Sequence, residues 1–160
     1  MSGFYLFISS KDSIKYHPDN KWDDFMVELT REYDLSIDTS RGLGLVSRAG
    51  WCMSLVDISL ESDGLNHPLP QDIIVLSDLA MPSFYLGTEI GILRMVHTGS
   101  QSQSLSLHQP YYIGLSRPVF RSFRVCLVDK NLKPLKGDIF SEEEPAPAKH
   151  LKCTLHFQQM

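Results

Sequence analysis

The segment Val119-Phe120-Arg121-Ser122-Phe123-Arg124-Val125-Cys126-Leu127-Val128 alternates apolar and polar residues. A period of two puts successive side chains on opposite faces, which suits an extended strand with one buried side and no helix. Val119, Phe123, Val125 and Leu127 are expected on the buried face, with Ser122 and Arg124 opposite. The pattern returns at the C-terminus, where Leu151, Cys153, Leu155 and Phe157 share one face and Lys152, Thr154 and His156 the other. Between Trp51 and Leu60 it places Val56, Ile58 and Leu60 against Asp57 and Ser59. Further runs are Phe4 to Ile8, Phe25 to Leu29, Ile73 to Leu79 and Ile90 to Val96. Shorter ones are Leu35 to Ile37, Leu43 to Val46 and Tyr111 to Leu115.

Turn formers separate these runs: His17-Pro18-Asp19-Asn20, Ser40-Arg41-Gly42, Asp63-Gly64, Met81-Pro82, Thr98-Gly99-Ser100, Arg117-Pro118 and Lys136-Gly137-Asp138. Trp22 to Glu32 is the one helix candidate, and it also reads as an extended arm entering a strand. No long stripe of period 3.6 occurs, which excludes helical bundles and alternating βαβ folds. About eight short antiparallel strands in a single domain over residues 1–160 are expected, an all-β sandwich or barrel. Thr98 to Gln109, rich in Ser and Gln, and Asp138 to Lys149, with Glu142-Glu143-Glu144 before alternating Pro and Ala, read as surface loops.

Charge and composition narrow the function. Nineteen acidic against fifteen basic residues give a net charge of −4. Phosphate-binding proteins usually carry a basic surplus, so nucleic acid is disfavoured as the main partner. No apolar run reaches the length of a membrane span, and Met1 to Tyr5 lacks the pattern of a cleaved signal. A cytosolic site of synthesis and no membrane insertion are expected. Cys52, Cys126 and Cys153 are odd in number and lie in apolar surroundings, so buried reduced thiols are expected.

Chemistry-bearing patterns are sparse. The six histidines (His17, His67, His97, His108, His150 and His156) form no metal-ligand spacing, and neither metal nor cofactor is expected. Gly42-Leu43-Gly44 lacks the Lys-Ser/Thr of a phosphate loop, and no serine sits in a G-x-S-x-G elbow. Asp57 and Asp78 lie within strands, with nothing in the sequence to bring them together. Arg117, Arg121 and Arg124, with Phe120 and Phe123, imitate a nucleic-acid platform, but salt links to Asp and Glu at a sheet or subunit edge suit the net charge better. No RGD tripeptide or N-x-S/T acceptor occurs. The chain is not expected to be an enzyme.

Taken in order, several blocks resemble one family. They are Phe4-Tyr5-Leu6-Phe7-Ile8-Ser9-Ser10-Lys11-Asp12-Ser13, Tyr16-His17-Pro18-Asp19-Asn20, Phe25-Met26-Val27-Glu28-Leu29 and Gly50-Trp51 opening a strand to Asp57-Ile58. Ile73 to Leu79, Gly87 with Ile92 to Val96, Phe123 to Asn131 and Thr154 to Phe157 continue the series. This succession resembles the penton-type single jelly-roll minor capsid proteins of Maverick/Polinton-like and adintovirus-like elements, distant relatives of adenovirus penton base. The insertion domain and N-terminal arm of that relative have no counterpart here, so integrin binding and arm attachment are not carried over.

The resemblance implies a single jelly-roll β-sandwich that forms homopentamers at the fivefold vertices of an icosahedral capsid and meets the neighbouring major capsid protein. Its place would be the virion. Such subunits join through heterologous contacts, one side of a copy against the other side of the next. Arg94, Arg121, Arg124 and His156, as outward residues, and Trp22 and Phe25 on the early arm are the expected seam residues. Glu142, Glu143 and Glu144 are the expected contact to the shell. The alternative is a jelly-roll module that binds a receptor or glycan.

Overall fold

A computed structural model describes residues 2–36, 50–62, 65–67, 71–97, 104–135 and 149–160. Among them are twelve strands: β1 (Gly3–Ser9), β2 (Asp24–Asp34), β3 (Trp51–Ser62), β4 (Leu65–His67), β5 (Ile73–Ser77), β6 (Ser83–Tyr85), β7 (Thr88–Ile90), β8 (Ile92–Val96), β9 (Ser104–Ser106), β10 (Ile113–Gly114), β11 (Val119–Val128) and β12 (Lys149–Gln159). All pairings are antiparallel. The first sheet runs β1-β12-β3-β10, with β4 and β9 also paired to β3, and the second runs β2-β11-β5-β8. The chain crosses repeatedly between the two sheets, and β1 and β12 lie side by side. The protein is an all-β sandwich of two antiparallel sheets.

The core lies between the sheets. On the first sheet, Leu151 faces Leu60, Cys153 faces Ile58, Leu155 faces Leu55 and Phe157 faces Met53, all buried. This needs one parity change, because Leu55 and Ile58 are three apart. A β-bulge supplies it: Thr154 pairs with Asp57 and Leu155 with Leu55, leaving Val56 as the extra residue. Val56 is therefore half-buried rather than a core partner of Ile58 and Leu60. A similar slip occurs in β11, where the register shifts between Phe120 and Ser122. Phe120 and Phe123 both turn inward as a result, and Val119, expected inside, is exposed.

Aromatic rings join the two sheets at one end. Phe4 stacks on Phe157 at 4.9 Å and on Tyr33 at 5.2 Å, and Phe120 stacks on Phe157 and on Tyr33, each at 5.7 Å. Such pairs add about 0.5–1.5 kcal/mol each beyond area burial. The Phe4–Tyr33 contact also sets β1 over β2, so these strands share one edge of the sandwich, and β10 and β8 share the other.

The helix candidate Trp22 to Glu32 is instead β2, because Phe25 and Val27 alternate inward and pair with Val125 and Phe123. The β1–β2 loop then shields the outer edge of β2. Asn20 imitates a strand there: its Oδ1 accepts from the Met26 N–H at 2.8 Å and its Nδ2 donates to the Met26 carbonyl at 2.9 Å. Ser13 Oγ accepts from the Glu28 N–H at 2.7 Å.

Part of the expected Ser/Gln-rich loop is strand, since β9 pairs with Asp57 to Ser59 of β3. Gly91 splits the expected run Ile90 to Val96 into β7 and β8. A Cβ at Gly91 would collide with the Ser77 carbonyl oxygen and come within 2.7 Å of that of Ala80. The β6–β7 hairpin covers the outer side of the second sheet, where Tyr85 and Ile90 pack on Ile74, Ile92 and Val128. Leu43 to Val46 and the acidic run Glu142-Glu143-Glu144 lie outside the described residues.

Candidate interaction surfaces

Most of the expected seam arginines are occupied within the chain. Arg124 holds Asp24 in a two-point clamp, Nε to Oδ1 at 2.7 Å and Nη2 to Oδ2 at 2.6 Å. These hydrogen bonds raise its pKa further, so it stays charged. Its backbone N–H donates to Asp78 Oδ1 at 2.7 Å, and Asp78 also receives Arg117 at 3.2 Å. Arg121 pairs with Glu28 at 3.4 Å, and Glu28 is shared with His17 at 3.2 Å. Strand-face arginines thus make salt links to Asp and Glu inside one copy. Phe120 and Phe123 are buried, so neither ring is offered for stacking.

Arg94 differs. No carboxylate among the described residues pairs with it, and its guanidinium donates to the Gln109 carbonyl at 2.7 Å. It lines a groove of about 400 Å³ at the β8–β10 edge, with Phe84, Tyr85, Ile92, Met95 and Tyr111. Three of those side chains are open to solvent: Phe84 is 78% exposed, and Tyr111 and Met95 are also exposed. Phe84 and Tyr85 carry no pattern that marks them in the sequence, because the β6 strand is only three residues long.

His156 lies on the outer face of the first sheet, as its alternation predicts. Tyr5 stacks on its ring at 4.3 Å, and the Tyr112 hydroxyl lies 2.6 Å from its Nδ1. Burial raises the pKa of that phenol, which keeps its proton. Tyr5 in turn neighbours Phe7 at 6.5 Å. Phe7 is 79% exposed and Tyr5 53% exposed, on the edge strand β1. Both are outward residues of β1 that sequence reasoning missed, because the unbroken apolar run Phe4 to Ile8 carries no alternation to mark a face.

Two early-arm residues behave differently from each other. Phe25, expected at a seam, is 2% exposed and packs in the core, because its inward position opposite Val125 leaves it no outer face. Trp22 is half-buried and packs against the same core.

The two aspartates expected within strands are held apart on different sheets. Asp57 accepts from Thr154 Oγ1 at 2.9 Å on the first sheet, whereas Asp78 serves Arg117 and Arg124 on the second. No three His, Cys, Asp or Glu residues among those described are grouped to hold a metal ion. A recess of about 460 Å³ at the Gly50–Leu115 end is lined by apolar groups, including Trp51, Met81 and Met160. Its thiol, Cys52, has its pKa raised by burial. All three cysteines are free; Cys153 is buried, whereas Cys52 and Cys126 are only half-buried. Burial pushes the Cys126 thiol up to about 11. No family model, curated protein or solved structure matches the chain.

Proposed function

We propose that this protein is a structural virion subunit: a penton-type minor capsid protein that closes homopentamers at the fivefold vertices of an icosahedral capsid. The observation that carries this reading is the strand order, β1-β12-β3-β10 over β2-β11-β5-β8. Two antiparallel sheets wound in this order suit a single jelly roll, a fold used by viral capsid and lectin domains, and that likeness supports the reading. The residues exposed on it suit assembly better than chemistry. Large apolar side chains stand in solvent at both edges of the sandwich: Tyr5 and Phe7 at one, Phe84, Met95 and Tyr111 at the other. Rigid β-walls with apolar patches at opposite sides are what a cyclic, head-to-tail contact requires. The neighbouring major capsid protein is the second partner in this reading, met through Glu142, Glu143 and Glu144 on the grounds of their charge.

A receptor- or glycan-binding module is the second reading. The exposed rings of Tyr5 and Phe7 favour it, since aromatic faces also stack on sugars. Mass separates the two. Light scattering of the purified chain is expected to give a species of five times 18.2 kDa, about 91 kDa. A trimer, or a monomer that also fails to join the shell protein, would replace the penton reading with the binding module.

A further inference from the structure

The two edges of the sandwich are finished differently. On the β1–β2 side, the outer edge of β2 is closed by Asn20 and Ser13, which occupy the backbone groups of Met26 and Glu28. The neighbouring β1 pairs with β12 on one side and, among the described residues, with no strand on the other. It also carries the most exposed large apolar side chain of the described residues, Phe7, beside Tyr5. An open, apolar edge strand is a hazard that folded chains normally blunt with charge, proline or a covering loop. Among the described residues, such blunting is found on β2 and not on β1.

The opposite edge bears the complementary shape and charge. The β8–β10 groove is concave, walled by Phe84, Met95 and Tyr111, and it holds the cationic Arg94, which no described carboxylate neutralises. Guanidinium groups seat against aromatic faces, whose ring electrons are negative at the centre. The tip of the adjoining hairpin repeats the theme. Leu86, 63% exposed, sits at a φ of 49° in the two-residue turn before Gly87, a backbone position that suits Asn or Gly. An exposed leucine there gains neither local stability nor solubility for the isolated chain.

We propose that the β8–β10 groove receives the β1 edge of a second copy of this chain, with Phe7 and Tyr5 entering the groove against Arg94. The inference rests on the ring-forming reading above and specifies its seam. The argument for a second copy is complementarity between two patches of one molecule. One protrudes and is aromatic, the other is recessed and carries a positive charge, and they lie on opposite edges. A twofold contact would set each patch against itself and would bring Arg94 toward its own copy. A head-to-tail contact satisfies both patches on every copy, and it closes into a ring when the rotation between neighbours divides a full turn.

Disulfide trapping tests this. In a Cys52→Ser background, Phe7→Cys chains and tagged Met95→Cys chains are mixed and oxidised with diamide. Cross-links between the two kinds of chain are expected, with few within either kind alone. Self-linking of the Phe7→Cys chains would overturn the proposal, as would no cross-link in a mixture that light scattering shows to be oligomeric. If the same mixture and the unsubstituted chain are monomeric and also fail to join the shell protein, the ring-forming reading itself fails; where they join it, absence of the cross-link in the joint assembly overturns the seam. A charge exchange guards against local misfolding. Phe7→Lys and Arg94→Glu are each expected to raise the dissociation constant about tenfold or more, and the double variant to recover most of it. Recovery follows only if position 7 of one copy meets position 94 of the next; its absence in a folded double variant contradicts the contact.

Discussion

At the level of single residues, Leu86 separates stability from assembly. With φ of 49° at Leu86 and 75° at Gly87, the β6–β7 connection takes the left-handed conformation at both central positions. A branched side chain there costs roughly 1–2 kcal/mol relative to a residue that tolerates it. Leu86→Asn is therefore expected to stabilise the monomer by about 1 kcal/mol, read as a higher urea midpoint, while weakening self-association. A variant that loses stability would show that the leucine is held by packing inside its own chain. This turn is not legible in the sequence, because Tyr85-Leu86-Gly87-Thr88 lacks the Asn-Gly or Asp-Gly pair that signals such hairpins. Arg94 was legible as an outward cation, but its lack of an acidic neighbour depends on which strands tertiary packing brings alongside. Phe25 was misplaced for the opposite reason: as part of an extended arm it looked available, and pairing with β11 buried it.

At the level of elements, long strands with strict alternation were readable and short or bulged ones were not. β12 kept all four of its inward residues, Leu151, Cys153, Leu155 and Phe157. β3 and β11 each changed parity once, at Val56 and near Arg121, because a bulge is fixed by register against the neighbouring strand. β9 lay hidden in a Ser-rich run whose composition reads as loop. The turn after β11 offers a test by pH. Asp129 accepts from the backbone N–H groups of Lys133 at 2.9 Å and Asn131 at 2.8 Å, and these bonds, with Lys133 first, hold its pKa below the ordinary 3.8. A carboxyl depressed in the folded state stabilises it above the unfolded pKa, and that contribution disappears as pH falls through the folded value. The melting temperature of Asp129→Ala is therefore expected to lie below that of the unsubstituted chain at pH 6, and the gap to narrow below about pH 3.8. A gap that stays constant across that range would mean the carboxylate does not hold the turn.

At the level of the whole molecule, the second sheet closes much of its own outer face, while large apolar side chains stand exposed on the edge strand β1 and at the β8–β10 edge. The outer face of the second sheet carries its own ion pairs, Arg124 with Asp24 and Arg121 with Glu28, and is partly covered by the β6–β7 hairpin. Exposed apolar side chains gather at two opposite edges, which a ring of identical copies would bury. The fold class followed from alternation and turn spacing alone, whereas the two patches emerge only when β1 and β8 are set at the margins of their sheets. Imaging of the purified oligomer by electron microscopy tests this account most directly. Class averages with fivefold symmetry, in which each copy meets the next along the β1 and β8–β10 edges, are the predicted result. Particles with twofold or threefold symmetry, or rings joined through the sheet faces, would contradict it.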